Sequence, residues 1–60
     1  MGYHSINQAR IHRDYTDNVV IADVYCEELD RHFVDKFPLT KAGLHQALEW
    51  VERKMNELSM

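Results

Sequence analysis

Residues 38–58, PLTKAGLHQALEWVERKMNEL, read as one amphipathic helix at the end of a 60-residue chain. Thr40 is a good N-cap, because its hydroxyl can accept from a backbone N–H two or three residues on. Pro38 cannot sit inside the helix and keeps the preceding Phe37 extended. Leu39 and Leu44 have the spacing of a hydrophobic staple. The acid that would complete a capping box is missing, because Gly43 occupies its position. Leu44, Leu48, Val51, Met55 and Leu58 recur at alternating steps of four and three, with Ala47 beside them, which predicts one apolar stripe. His45, Glu49, Glu52, Arg53, Asn56 and Glu57 fall on the opposite face, where Glu49 and Arg53 form an i,i+4 pair worth about 0.3–0.5 kcal/mol. Trp50 lies between the two faces, as an edge of the core or as an anchor in a binding surface.

The stripe has to cover whatever residues 1–37 build. Residues 9–15, 19–26 and 31–37 read as strands, and Val19-Val20-Ile21-Ala22-Asp23-Val24-Tyr25-Cys26 has the strongest β character. Asp17-Asn18 reads as a two-residue turn, since both residue types tolerate positive φ. That turn sets Tyr15 opposite Val20, Arg13 opposite Ala22, Ile11 opposite Val24 and His12 opposite Asp23. The second connection, Glu28-Leu29-Asp30, lacks glycine. Pairing Glu27 with Asp30 across it sets Val24 opposite Phe33, Tyr25 opposite His32 and Val20 opposite Phe37.

Side chains alternate between the two faces of a strand. One face therefore collects Ile11, Tyr15, Val20, Ala22, Val24, Cys26, Phe33 and Phe37, and it can receive the helix. The expected fold is α+β: a three-stranded antiparallel meander with one C-terminal helix across one face, βββα. The expected organisation is a single small domain, with 1–8 as an N-terminal arm carrying His4, 9–37 as the sheet and 40–58 as the helix. An intertwined dimer is the rival arrangement.

The second sheet face should be solvated in an antiparallel sheet. Here it collects Arg10, His12 and Asp14, then Val19, Ile21, Asp23 and Tyr25, then His32, Val34 and Lys36. Val19, Ile21, Tyr25 and Val34 form an apolar centre, and His12, Asp23, His32 and Lys36 form a polar rim. Such patches mark interaction surfaces. The turn residues Glu27, Glu28 and Asp30 form an acidic cluster, which reads as a solvated loop or as a lure that steers a basic partner surface.

Composition narrows the function. A chain this short buries only about 60% of its unfolded surface and needs support from a staple, a metal or a second chain. A single cysteine, Cys26, excludes an internal disulfide framework and fits a reducing compartment. No apolar run approaches the roughly 20 residues of a membrane span, and the N-terminus lacks the regions of a signal peptide, so the expected location is cytoplasmic. Ten acids against seven bases give a net charge of −3, which disfavours nonspecific nucleic-acid binding. Four histidines raise a metal or proton-shuttle reading through His12, Asp23 and His32, but their spacing matches no ligand signature. There is no phosphate loop, no Ser-His-Asp arrangement and no CxxC. The expectation is therefore a non-enzymatic chain without cofactor or metal.

The strand–strand–strand–helix order resembles the sheet domains with which integrase arm-binding and certain plant proteins enter the DNA major groove. That resemblance implies DNA contacts at Arg10, His12, Tyr25, His32 and Lys36. The layout is also similar to many very small phage-encoded proteins that bind and inhibit a host or defence protein. The first functional expectation is accordingly a protein-binding module, an inhibitor or regulator of phage type that occludes a partner's surface. The second is a nucleic-acid-binding module, with Arg10, Arg13, Arg31 and Lys36 on phosphates. The third is a homodimer joined through sheet faces or helices.

Overall fold

Three eight-residue strands and one helix follow one another along the chain: β1 (Asn7–Asp14), β2 (Val19–Cys26), β3 (Arg31–Pro38) and α1 (Lys41–Leu58). The computed structural model describes residues 7–59, the side chain of Asn7 excepted. The strands form one antiparallel sheet in the order β1-β2-β3, and α1 packs across one face of it. This is the βββα arrangement. Of the expected arm, residues 1–6 with His4 lie outside the described residues, and Asn7 and Gln8 belong to β1.

The central strand alternates half-buried and buried side chains along its whole length. Val20, Ala22, Val24 and Cys26 point into the core together with Ala47 of α1. Ile11, Phe37, Leu39, Leu44, Trp50 and Val51 pack around them, half-buried. The core is therefore made of small side chains, with the larger ones at its margin.

The β2–β3 register matches the sequence reading: Val24 faces Phe33, Tyr25 faces His32 and Val20 faces Phe37. The β1–β2 register differs from it by two residues, with Arg13 opposite Val20, Ile11 opposite Ala22 and Ala9 opposite Val24. The cause is Asp14. Its Oδ1 accepts from the Thr16 N–H at 3.0 Å and the Asp17 N–H at 3.2 Å, which spreads the turn over four residues instead of two. Tyr15 consequently sits in the loop, 71% exposed, and not on the core face. A shift of two keeps every other β1 side chain on its expected face, because the face alternates with period two. Both hairpin loops span four residues and end on a left-handed residue, Asn18 (φ 58°) and Asp30 (φ 52°). The second closes with the Asp30 N–H donating to the Glu27 carbonyl at 3.2 Å, so Asp30 does the work of the absent glycine.

Thr40 caps α1 as expected, its Oγ1 accepting from the Gly43 N–H at 2.9 Å. Leu39 and Leu44 both pack against the core, as a staple should. Most of the stripe read from the apolar spacing is buried or half-buried: Leu44, Ala47, Val51, Met55 and Leu58. Leu48 is the exception at 53% exposed, and Gly43, Trp50 and Lys54 join the inward side instead. The helix is thus turned about its axis toward the Gly43 side. Gly43 explains the turn. A Cβ placed on it would collide with the Pro38 carbonyl oxygen and come within 2.8 Å of the carbonyl carbon, so the helix backbone lies directly against the end of β3.

Trp50 edges the core, its ring meeting Phe37 edge-on at 6.4 Å. Lys54 extends its ammonium over Phe33 (5.3 Å) and Trp50 (5.8 Å) and donates to Glu57 Oε1 at 3.3 Å, so a charged residue completes the apolar margin. No Glu49–Arg53 ion pair forms; Lys54–Glu57 is the helix pair present among the described residues.

Two substitutions test this orientation by urea denaturation of the full chain. Gly43→Ala should cost about 1–3 kcal/mol, the usual effect of forcing atoms into a filled space. Leu48→Gln should change stability by less than about 0.5 kcal/mol. A larger loss from Leu48→Gln than from Gly43→Ala would return the helix to the orientation of the apolar spacing.

Candidate functional site

The helix covers one face of the sheet and leaves the other uncovered. Alternation along the strands places Gln8, Arg10, His12 and Asp14 of β1 on the uncovered face. It adds Val19, Ile21, Asp23 and Tyr25 of β2, and His32, Val34 and Lys36 of β3. All four expected apolar residues are therefore on one surface. Val34 is 54% exposed, and Val19, Ile21 and Tyr25 are half-buried. The half-burial comes from neighbours in the sheet, since among the described residues no second layer lies above them.

The polar residues are arranged differently from a rim. Asp23 sits between Ile21 and Tyr25 on the central strand, opposite Arg10 on one side and Val34 on the other. His32 Nδ1 lies 3.0 Å from Asp23 Oδ1 and 3.3 Å from Oδ2, a bond in which a protonated Nδ1 donates. The His32 side chain remains 60% exposed and that of Asp23 24%. The Asp23–His32 pair thus crosses the middle of the apolar residues, separating Val19 and Ile21 from Tyr25. His12 stands opposite Ile21, so the expected juxtaposition of His12 with Asp23 is not formed. The changed β1 register is the reason. Among the described residues, no three His, Cys, Asp or Glu side chains gather as a metal site would require.

Tyr25 links this face to the acidic turn. Its ring lies 4.7 Å from the His32 ring, and its hydroxyl donates to Asp30 Oδ1 at 2.8 Å. The carboxylate of Asp30 therefore has a structural partner, while Glu27 and Glu28 project into solvent at the tip of the hairpin. The hydrogen bond to Asp30 raises the Tyr25 pKa above its ordinary value of 10.0, with desolvation and the charges of Asp30 and Glu27 adding to it. The uncovered face is fixed at this point: the tilted ring contact with His32 and the hydroxyl bond hold Tyr25 in one orientation.

Gln8, Arg10, Asp23, Tyr25 and His32 line an open depression of about 190 Å3 on this face. Arg10 and Gln8 supply donors and Asp23 an acceptor, with the Tyr25 and His32 rings as walls. No carboxylate lies within ion-pairing distance of Arg10 or Lys36 among the described residues, whereas Asp14 and Asp23 are both engaged internally. The face therefore presents unpaired cations on its two edge strands, flanking the Asp23–His32 pair. Gln8, which the sequence reading assigned to the arm, belongs to this surface; only the correct start of β1 brings it there.

The Tyr25–Asp30 bond has a measurable consequence. Tyr25, followed by ring-carbon NMR through an alkaline titration, should ionise above 10.0, and Asp30→Asn should lower its midpoint toward that value. Because the folded state favours the neutral phenol, this bond's contribution is fully present below the unfolded pKa. It is lost as pH rises through the higher folded value. A Tyr25 midpoint unchanged by Asp30→Asn would remove Asp30 as the cause.

No family model matches this chain, and no curated protein and no solved structure gives a significant match to it.

Proposed function

We propose that this chain is a non-enzymatic protein-binding module that acts through the uncovered sheet face, occluding a functional surface of its partner. The observation that carries the reading is the composition of that face: Val34, Ile21, Val19 and Tyr25 lie on the side that no helix covers. Aromatic and aliphatic anchors at the centre with a polar surround are the arrangement from which protein interfaces draw most of their energy. Val19, Ile21, Tyr25 and Val34 supply the apolar contacts. Asp23 and His32 supply polar contacts at the centre, and His12 and Lys36 supply them at the sides. Glu27 and Glu28 steer a basic region of the partner toward the hairpin tip, with Asp30 holding Tyr25 in place. An inhibitor or regulator of phage type fits this design, since a small rigid face needs no pocket to block a larger surface. A lone, buried Cys26 fits a reducing compartment such as the cytoplasm.

Nucleic-acid binding is the second reading, and the unpaired Arg10 and Lys36 favour it. Arg13 and Arg31 weigh against it, because the register sets both on the helix side of the sheet, away from Arg10 and Lys36. It requires affinity that falls steeply with salt.

The test is capture from a nuclease-treated lysate of the native host with the tagged full chain. One stoichiometric protein is expected. Tyr25→Ala and Val34→Asp should each weaken its binding by about tenfold or more, the scale of an interface hot spot, with unchanged circular dichroism. Retention of nucleic acid alone, in a salt-sensitive manner, would give the face to the second reading.

A further inference from the structure

The two edges of the sheet differ. The Leu39 N–H donates to the Asn18 carbonyl at 3.1 Å, and positions 18 and 39 continue the β2–β3 register by one step. That bond sets the phase of the ladder, because bonded and non-bonded pairs alternate along antiparallel strands. Val20, Ala22, Val24 and Cys26 therefore bond to β3, and Val19, Ile21, Asp23 and Tyr25 bond to β1. Their partners Gln8, Arg10, His12 and Asp14 bond inward. What remains is a row of outward N–H and C=O groups at Ala9, Ile11 and Arg13 on β1, and at His32, Val34 and Lys36 on β3.

The β3 row is blunted. Lys36 carries a charge at the edge, its own N–H donates to Asp35 Oδ1 at 2.8 Å, and Pro38 at the end of the strand has no N–H. The β1 row carries a charge at Arg13, but among the described residues it has neither a side-chain cap on an outward N–H nor a proline. No described group bonds the N–H of Ala9, Ile11 or Arg13. Beside this open edge runs a groove lined by Ile11, His12, Arg13, Tyr15 and Leu44, on the flank of α1 where Leu48 is also exposed.

We infer that β1 pairs with β1 of a second copy of this chain, antiparallel and about a two-fold axis through Ile11, to form a continuous six-stranded sheet. The phase of the ladder permits this symmetry. Ile11 has its N–H and C=O outward, so it forms a bonded pair with its own copy, and Ala9 does so with Arg13 of the second copy. These three bonded pairs supply about six backbone hydrogen bonds. On the helix side, Ile11 meets Ile11 and joins the floors of the two grooves. On the other side, Gln8 comes opposite Asp14 and Arg10 opposite His12. The choice of a second copy follows from what the monomer lacks. Among the described residues, its fully buried apolar side chains are Val20, Ala22, Val24, Cys26 and Ala47, none larger than valine. Its lone cysteine cannot staple the chain internally, and the described residues hold no metal cluster. A domain of this size needs burial from elsewhere. Pairing at β1 supplies it while leaving the uncovered faces of both copies free and side by side in one surface, so the inference stands whether or not that face binds a protein.

Sedimentation equilibrium of the purified full chain, from about 1 to about 500 micromolar, reads the pairing directly by mass action. The mass should rise to twice the 7.1 kDa of one chain. Ala9→Pro, which removes an outward N–H that no β2 group uses, should return the mass to 7.1 kDa at every concentration while circular dichroism is retained. Hydrogen exchange provides a measurement that needs no substitution. The Ala9, Ile11 and Arg13 amides should slow as concentration rises, and those of His32 and Val34 should not. A mass of 7.1 kDa across the range overturns the inference and leaves the edge to a strand of another protein. A dimer whose β1-edge amides exchange at the monomer rate overturns it as well.

Discussion

The contact between the backbone of Gly43 and the carbonyl of Pro38 governs how the two layers of this protein meet. The same carbonyl accepts from the Thr40 N–H at 2.8 Å, so one group ends β3, turns the chain and seats the first turn of the helix. Leu39 ties the junction to the other hairpin through the Asn18 carbonyl. The helix cannot slide or roll without separating this cluster. Its inward stripe follows: the smallest residues, Gly43 and Ala47, face the central strand, and the bulky Trp50 and Leu44 fall to either side.

That seating leaves the sheet unequally covered. Trp50 and Lys54 close the β3 side over Phe37 and Phe33, with aromatic and cation–π contacts in place of a fully dry core. On the β1 side a groove remains, lined in part by Ile11 and Leu44. The backbone shows the same bias, since on β3 the outward Lys36 N–H is capped by Asp35 and Pro38 has none, whereas the outward N–H groups of Ala9, Ile11 and Arg13 meet no described group. Packing and edge chemistry therefore both assign β1 as the incomplete side of the molecule, from different physical causes.

Much of the uncovered face was legible from alternation alone. Val19, Ile21, Tyr25 and Val34 share a face because the period of a strand is two, and the two-residue change in the β1 register preserves that parity. Their cross-strand neighbours were not equally legible. Whether Asp23 faces His12 or Arg10 depends on the length of the first loop. That length was set by the Asp14 carboxylate capping two N–H groups, a choice that a turn-forming Asp17-Asn18 pair conceals. Tyr15 moved from the core to the loop for the same reason. Lys54 leaves no mark in an apolar stripe because it is charged, although its methylenes can cover aromatic rings.

By itself, the sequence determined the order of elements, the helix start at Thr40, the core residues of β2 and the membership of each sheet face. These depend on local capping chemistry and on periodicity, which act within a few residues. Only the tertiary structure decided the roll of the helix, the central place of the Asp23–His32 pair, the bond from Tyr25 to Asp30 and the open edge of β1. Each of these depends on which atoms of distant segments come into contact, and a glycine against a carbonyl or a carboxylate against an amide leaves no periodic trace in the chain.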